Sequence, residues 1–327
     1  MDYFIFYNSA GDKFHMVLKK GSPEFNNLPD IAVLIGGMWV ANLYYWGFNQ
    51  YIIQRTLAAK SLREAQNGIA FSAFLKLIIP LIVVVPGIIA FVMYSQPEGT
   101  AIIEGAKEAF TKSNGDINYD KAYPWLISTF IPSGLKGVVV AALTAAIISS
   151  LASIINSIST IFTMDIYKPY LNKTSNENQL VKIGRIIVLI TLIIALLAAP
   201  FLKTLPQVFQ YIQEYTGLVS PGILAVSIFG LFWKKVTTRG AIWGAILSIL
   251  VALFLKLPVI ELPFLDQMLY TFVITMAITS MISLSSNEFD DDPKGFNLTA
   301  KLFSTNAAFN ISSYIICLIL ALLYTVF

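Results

Sequence analysis

Gly36-Gly37-Met38-Trp39-Val40-Ala41-Asn42-Leu43-Tyr44-Tyr45-Trp46-Gly47-Phe48-Asn49-Gln50 lies inside an otherwise apolar run from Ile31 to Gln54. A helix of about 20 apolar residues crosses a hydrocarbon core of roughly 30 Å, so the run has the length of a membrane span. Its middle nevertheless carries amides, aromatic rings and glycines, groups for which lipid offers no partner. At about 1.5 Å per helical residue, Tyr45 falls about 21 Å from the Ile31 end and about 13 Å from the Gln54 end, deeper than an interfacial aromatic belt. The stretch reads as part of a polar pathway through a membrane.

The rest of the chain agrees with that solvent. Of 327 residues, 56% are hydrophobic and only 13% charged, with a mean hydropathy of +0.70. A soluble domain carries about a quarter of its residues as charges, so this is an integral membrane protein in contact with the lipid bilayer. The net charge of +3 comes from dispersed loop lysines and arginines. No contiguous basic surface exists to neutralise phosphates, which excludes nucleic acid as a partner. One cysteine, Cys317, forms no internal disulfide, and one histidine, His15, with no cysteine near it makes no metal-ligand cluster. There is no glycine-rich phosphate loop, no His-Glu-x-x-His and no nucleophile elbow, so the chain is not expected to be an enzyme. No basic leader precedes Ile31, and targeting is expected from the spans themselves.

Apolar runs bounded by polar or Pro/Gly-rich turns predict eight spans: about 31–54, 68–94, 136–164, 186–202, 205–233, 240–257, 264–284 and 307–327. Backbone groups in lipid must pair within their own segment, so runs this long are helices rather than the shorter, alternating strands of a barrel. Residues 1–30 read as a polar extracytoplasmic loop. Residues 95–134 form a long external loop with a short helix over 102–110 and, at Tyr123-Pro124-Trp125, aromatics suited to the membrane interface. Every arginine, Arg55, Arg63, Arg185 and Arg239, falls in loops of one side, which assigns that side to the cytoplasm.

Three sets of polar groups stand where lipid would not hold them. Lys76, in Phe74-Leu75-Lys76-Leu77-Ile78, lies about 12 Å inside the second span; it either faces a cavity or snorkels to the interface. The third span holds Thr144, Ser149, Ser150, Ser153, Ser157, Ser159, Thr160 and Thr163. Adjacent hydroxyls with a backbone carbonyl one turn earlier suit a hard cation such as sodium, and small hydroxyls equally suit close helix packing. The fifth span opens with Pro206-Gln207-Val208-Phe209-Gln210-Tyr211-Ile212-Gln213-Glu214-Tyr215, whose glutamines at spacing three share a face. Amides there can bond sugar hydroxyls or neighbouring helices.

Three segments carry a family resemblance: Trp39 through Arg55; Ile148-Ser149-Ser150-Leu151-Ala152-Ser153 followed by Ile161 through Tyr167; and Gln210-Tyr211-Ile212-Gln213-Glu214-Tyr215-Thr216-Gly217-Leu218-Val219-Ser220-Pro221-Gly222. They resemble the sodium/solute symporter family on its sodium/glucose (galactose) branch. The resemblance implies an all-α membrane protein with a LeuT-type inverted-repeat fold. Residues 31–233 would be its second five-helix repeat and 240–327 three carboxyl-terminal helices. On the positions that match, it implies that Tyr45 is an aromatic gate stacking on a sugar ring and Asn42 the partner of that tyrosine's hydroxyl and of the sugar. Trp46 would be a cavity wall, and Lys76 and Gln213 would bond sugar hydroxyls. Ser149 and Ser150, with the Ala146 carbonyl, would be sodium ligands. The family's ligands from the first repeat have no counterpart, so a missing amino-terminal repeat is needed for a complete site. Sodium-coupled symport of a monosaccharide is thus expected, against two alternatives: a non-transporting fragment or assembly subunit, and a symporter of another small solute.

Overall fold

The computed structural model describes residues 36–97, 99–112, 115, 117–202, 208–257, 259–260, 262–286, 295–299 and 303–326. The 1–30 loop, the first five residues of the first predicted span, Pro206, Gln207 and the acidic run 287–292 lie outside them. Among the described residues the fold is helical, with one isolated antiparallel bridge between Thr111 and Ile117. Among the described residues, seven segments are long and apolar enough to span a membrane: Leu62–Ser95, Ser133–Leu171, Glu177–Leu202, Tyr211–Phe232, Thr238–Leu255, Phe264–Ser285 and Ala307–Thr325.

The opening stretch is not one straight span. It forms α1 (Gly37–Leu43), a π-helical turn over Tyr44–Phe48, an extended Asn49 (φ −82°, ψ 112°) and α2 (Gln50–Leu57). The Asn49 amide donates to the Tyr44 carbonyl five residues back at 3.0 Å. That wide turn absorbs an extra residue, as π turns do at functional positions in helices. The second predicted span also divides. α3 (Leu62–Lys76) starts six residues before the apolar run because Ser61 accepts from the Glu64 amide at 3.2 Å, the N-terminal half of a capping box. It stops where the Leu77 amide turns back to Phe74 and where Pro80, near the start of α4 (Ile79–Ser95), has no N–H to continue the ladder.

The chain divides into two compact units. One gathers residues 50–55 and 78–208. In it the 95–134 connection is itself folded: α5 (Ala101–Phe110), capped by Thr100, and α6 (Ala122–Phe130) close on the carboxyl-terminal part of α4. Ala90, Ala106 and Phe110 make a buried core, and Tyr94, Phe110, Trp125 and Phe130 follow one another with ring centroids 6.0, 5.2 and 5.8 Å apart. Trp125, whose ring was expected to suit the membrane interface, is half-buried against this cluster, with Phe110 and Phe130 as its edge-to-face ring partners. The long α7 (Ser133–Ile161) runs on through a π-helical stretch to Leu171 and packs on α8 (Glu177–Leu202), where Ser159 Oγ donates to the Gly184 carbonyl at 2.9 Å.

The other unit gathers residues 36–49, 56–77 and 209–326. It holds α9 (Val208–Phe232), α10 (Thr238–Leu255), α11 (Phe264–Ser285) and α12 (Ala307–Val326), together with α1 and α3. α10 and α11 form a tight hairpin. Gly240, Gly244, Ser248 and Ala252 recur every four residues on α10, against Thr271, Thr275, Thr279 and Ser283 on α11, all buried. Small residues at that spacing let two backbones approach closely without a hydrophobic drive. A Cβ at Gly240 would overlap the Ser283 hydroxyl and come within 3.1 Å of the Thr279 carbonyl. α1 rides on the start of α11, and a Cβ at Gly37 would overlap the Leu265 carbonyl. α3 is tied to the start of α12 through Gln66, which donates to the Ser304 carbonyl at 3.0 Å and accepts from the Asn306 side chain at 2.8 Å.

Candidate functional site

The π turn after α1 sets Tyr45 and Trp46 edge to face, with ring centroids 5.7 Å apart. Lys76, the last residue of α3, holds its ammonium 4.8 Å from the Tyr45 ring centre and 4.5 Å from that of Trp46. A cation over aromatic faces gains about 0.5–1 kcal/mol when exposed and about 2 when desolvated. Lys76 therefore directs its charge at the ring pair. A groove of about 360 Å³ opens beside it, with Trp46, Ala73 and Lys76 on one wall and Ile316 and Leu320 of α12 on the other.

Three of the residues expected to bind solute thus meet. Asn42 is exposed and donates to the Met38 carbonyl of its own helix at 2.9 Å. Gln213 is exposed in the second turn of α9, and no hydrogen bond or ring contact joins it to the trio.

The expected cation ligands lie in the other unit. Ala146, Ser149 and Ser150 fall within one turn of α7, and all three are exposed. The helix is unbroken there, so the Ala146 carbonyl keeps its place in the ladder and has its second lone pair to offer. Ser153 Oγ donates to the Ser149 carbonyl at 3.1 Å. One turn of helix offers a hard cation three oxygens at most; the rest of an oxygen shell must come from elsewhere. Among the described residues no cluster of histidine, cysteine, aspartate or glutamate suits a metal.

Two polar clusters escaped the sequence reading. In the first unit Gln54 donates to the Ser153 carbonyl at 3.3 Å and accepts from Asn156 at 3.2 Å, while the Arg55 guanidinium donates to Ser153 Oγ, so α2 is stitched to α7. In the second, Lys256 at the end of α10 pairs with Glu214 of α9 at 3.1 Å and lies 4.4 Å from the centre of the Tyr215 ring. The signal for this pair was present: opposite charges stand near the same end of two neighbouring spans.

Helices broken at a polar aromatic turn, in a chain otherwise made for lipid, define a multi-pass membrane protein. The chain belongs to the sodium:solute symporter family, whose model matches residues 7–248. That is a family of transporters, not enzymes. The sodium/glucose cotransporter of Vibrio parahaemolyticus is 58% identical over 320 residues, which are 98% of this chain and 58% of that protein. The sodium/myo-inositol cotransporter 2 of Homo sapiens is 36% identical over 244 residues, 74% of this chain and 35% of that protein. This chain therefore spans little more than half the length of the first and about a third of the second. Among solved structures, a Na+-coupled sialic acid symporter in a substrate-bound outward-open state superposes with a TM-score of 0.65 at 22% identity, over 90% of this chain and 62% of that one. The LeuT-type helical fold expected from the sequence is thus shared with part of a symporter.

Proposed function

We propose that this chain is the carboxyl-terminal part of a sodium-coupled symporter of a monosaccharide of the galactose/glucose type. The observation that carries the reading is the Lys76 ammonium set against Tyr45 and Trp46 beside an open groove. A pyranose has an apolar C–H face and a rim of hydroxyls. Tyr45 stacks on that face and gates it, Trp46 walls the cavity, and Lys76 donates to the rim. Asn42 and Gln213 complete the rim contacts with amides that both donate and accept. Sodium sits at the Ser149 and Ser150 hydroxyls and the Ala146 carbonyl. Each ligand raises the affinity of the other, because coupling between two sites is reciprocal. In this reading residues 31–233 are the second five-helix repeat, 95–134 an external loop and 240–327 three added helices. The remaining sodium and sugar ligands come from an amino-terminal repeat.

The test is uptake of labelled galactose, glucose, myo-inositol, proline and sialic acid by proteoliposomes holding the product of the complete reading frame, with sodium or choline outside. Sodium-dependent uptake of a hexose is expected. Lys76→Ala and Gln213→Ala should each raise its half-saturation about tenfold, since a hydrogen bond involving a charged or buried partner is worth about 1.5–3 kcal/mol. Unchanged uptake and affinity in both variants would remove the sugar assignment, and sodium-dependent uptake of proline or sialic acid alone would change the cargo. A second reading, a non-transporting membrane subunit, draws on the exposure of Ser149 and Ser150. It predicts no in-frame coding sequence upstream of Met1 and no uptake of any of the five solutes.

A further inference from the structure

α9 carries a proposed sugar ligand, Gln213, and is weakened in its middle by a proline. Pro221 is fully buried and has no N–H, so the carbonyl one turn earlier, at Gly217, loses its ladder partner. Gly217 itself is in close approach: a Cβ there would lie 3.3 Å from the Met268 sulfur of α11. The half of α9 before Gly217 therefore depends on side-chain contacts for its direction, and that half bears Gln213.

The contacts it makes are charged. Lys256 caps α10 and reaches back to Glu214 at 3.1 Å and to the Tyr215 ring at 4.4 Å, with both charged side chains only about a third exposed. A cavity of about 160 Å³ lies beside the pair, between α9, α10 and α11. Its other polar residues are occupied: Gln267 donates to the Leu262 carbonyl at 2.7 Å, and Thr271 donates to the Gln267 carbonyl at 2.7 Å. The ion pair thus joins α9 to the hairpin at the residue next to Gln213. With 3.6 residues per turn, adjacent side chains differ by about 100° around the axis, so fixing Glu214 and Tyr215 against α10 fixes the direction of Gln213.

We propose that Glu214 and Lys256, with the Tyr215 ring, are positioning residues that set the rotation of the outer half of α9 and so aim Gln213 at the solute. The proposal rests on Gln213 being a sugar ligand. In the complete protein, Lys256→Met and Glu214→Gln should each raise sugar half-saturation about three- to tenfold at saturating sodium, with maximal rate and membrane abundance within about twofold. The exchanged pair, Glu214→Lys with Lys256→Glu, should return half-saturation to within about twofold of wild type, the non-additivity expected of residues in contact. A second measurement reports rotation without transport. In a Cys317→Ser, Gln213→Cys background, the rate of modification by a membrane-impermeant thiol reagent should change at least about threefold when Lys256→Met is added, because thiol reaction depends on access. Unchanged half-saturation in both single variants of a transporting protein, or an unchanged thiol rate, overturns the clamp. If the wild type moves no sugar with sodium, the functional reading fails, and the thiol rate still decides whether the clamp exists.

Discussion

A lysine in a membrane span costs about 2.5–3.5 kcal/mol at mid-depth by insertion scales, so its surroundings must return much of that. Among the described residues no carboxylate pairs with Lys76; it has two aromatic faces instead, a partnership that leaves its N–H groups available to a solute. Ser149 and Ser150 are the opposite kind of residue, with small, exposed side chains. Replacing either by alanine should leave folding within about 0.5 kcal/mol, as surface changes do. If they hold sodium, Ser149→Ala and Ser150→Ala will shift sodium activation of uptake to at least about fivefold higher concentration, with sugar half-saturation at saturating sodium little changed. Sodium-activation curves check this directly. Tyr45, Trp46 and Lys76 were legible in the sequence because each is a polar or aromatic group at a depth where lipid has no use for it. The Glu214–Lys256 pair was missed although both charges stand near the same end of neighbouring spans, because 42 residues separate the partners and the pairing depends on how α9 and α10 pack.

At the level of elements, hydropathy finds the body of a helix and misses its ends. The apolar run beginning at Gly68 marked a span, but the helix starts at Leu62 because Ser61 satisfies a first-turn amide, which no hydropathy window registers. Likewise the run from Ile31 to Gln54 has the length of one span, and its backbone nevertheless turns at Tyr44–Phe48 and extends at Asn49. The glycines and aromatics there were the visible sign, while the π turn itself depends on backbone pairing. The α10–α11 seam was unread altogether, since its small residues look like any apolar span. It makes a firm prediction. Gly240→Val would drive two methyl groups into the Ser283 hydroxyl and the Thr279 carbonyl, and overpacking of this kind costs about 1–3 kcal/mol. Thermal unfolding in detergent should fall by several degrees, whereas Gly230→Val, with open space around its Cβ, should lose only the glycine-to-valine backbone term.

For the whole molecule, the family and the all-helical membrane class were legible from three short segments and the composition, and the division into two compact units was not. Units form from contacts between helices distant in sequence, such as α1 with α11 or α3 with α12, and no apolar run announces its partner. The 95–134 connection shows the same limit: one of its two α-helices was expected, its aromatic core was not. Phe110, 3% exposed, is the centre of that core. Phe110→Ala should cost about 3–5 kcal/mol locally, more than two short helices can hold. Trypsin should then cut at Lys112 or Lys121 many times faster, with helical circular dichroism otherwise retained.

The seam between α10 and α11 has one more consequence, for calorimetry. Glycine, serine, alanine and threonine meet there, so parting the two helices within lipid would hydrate little apolar surface. The large positive heat capacity that bends the stability curve of a soluble domain comes from such hydration. This hairpin should separate with a nearly temperature-independent enthalpy, and its stability should fall along a line rather than a dome.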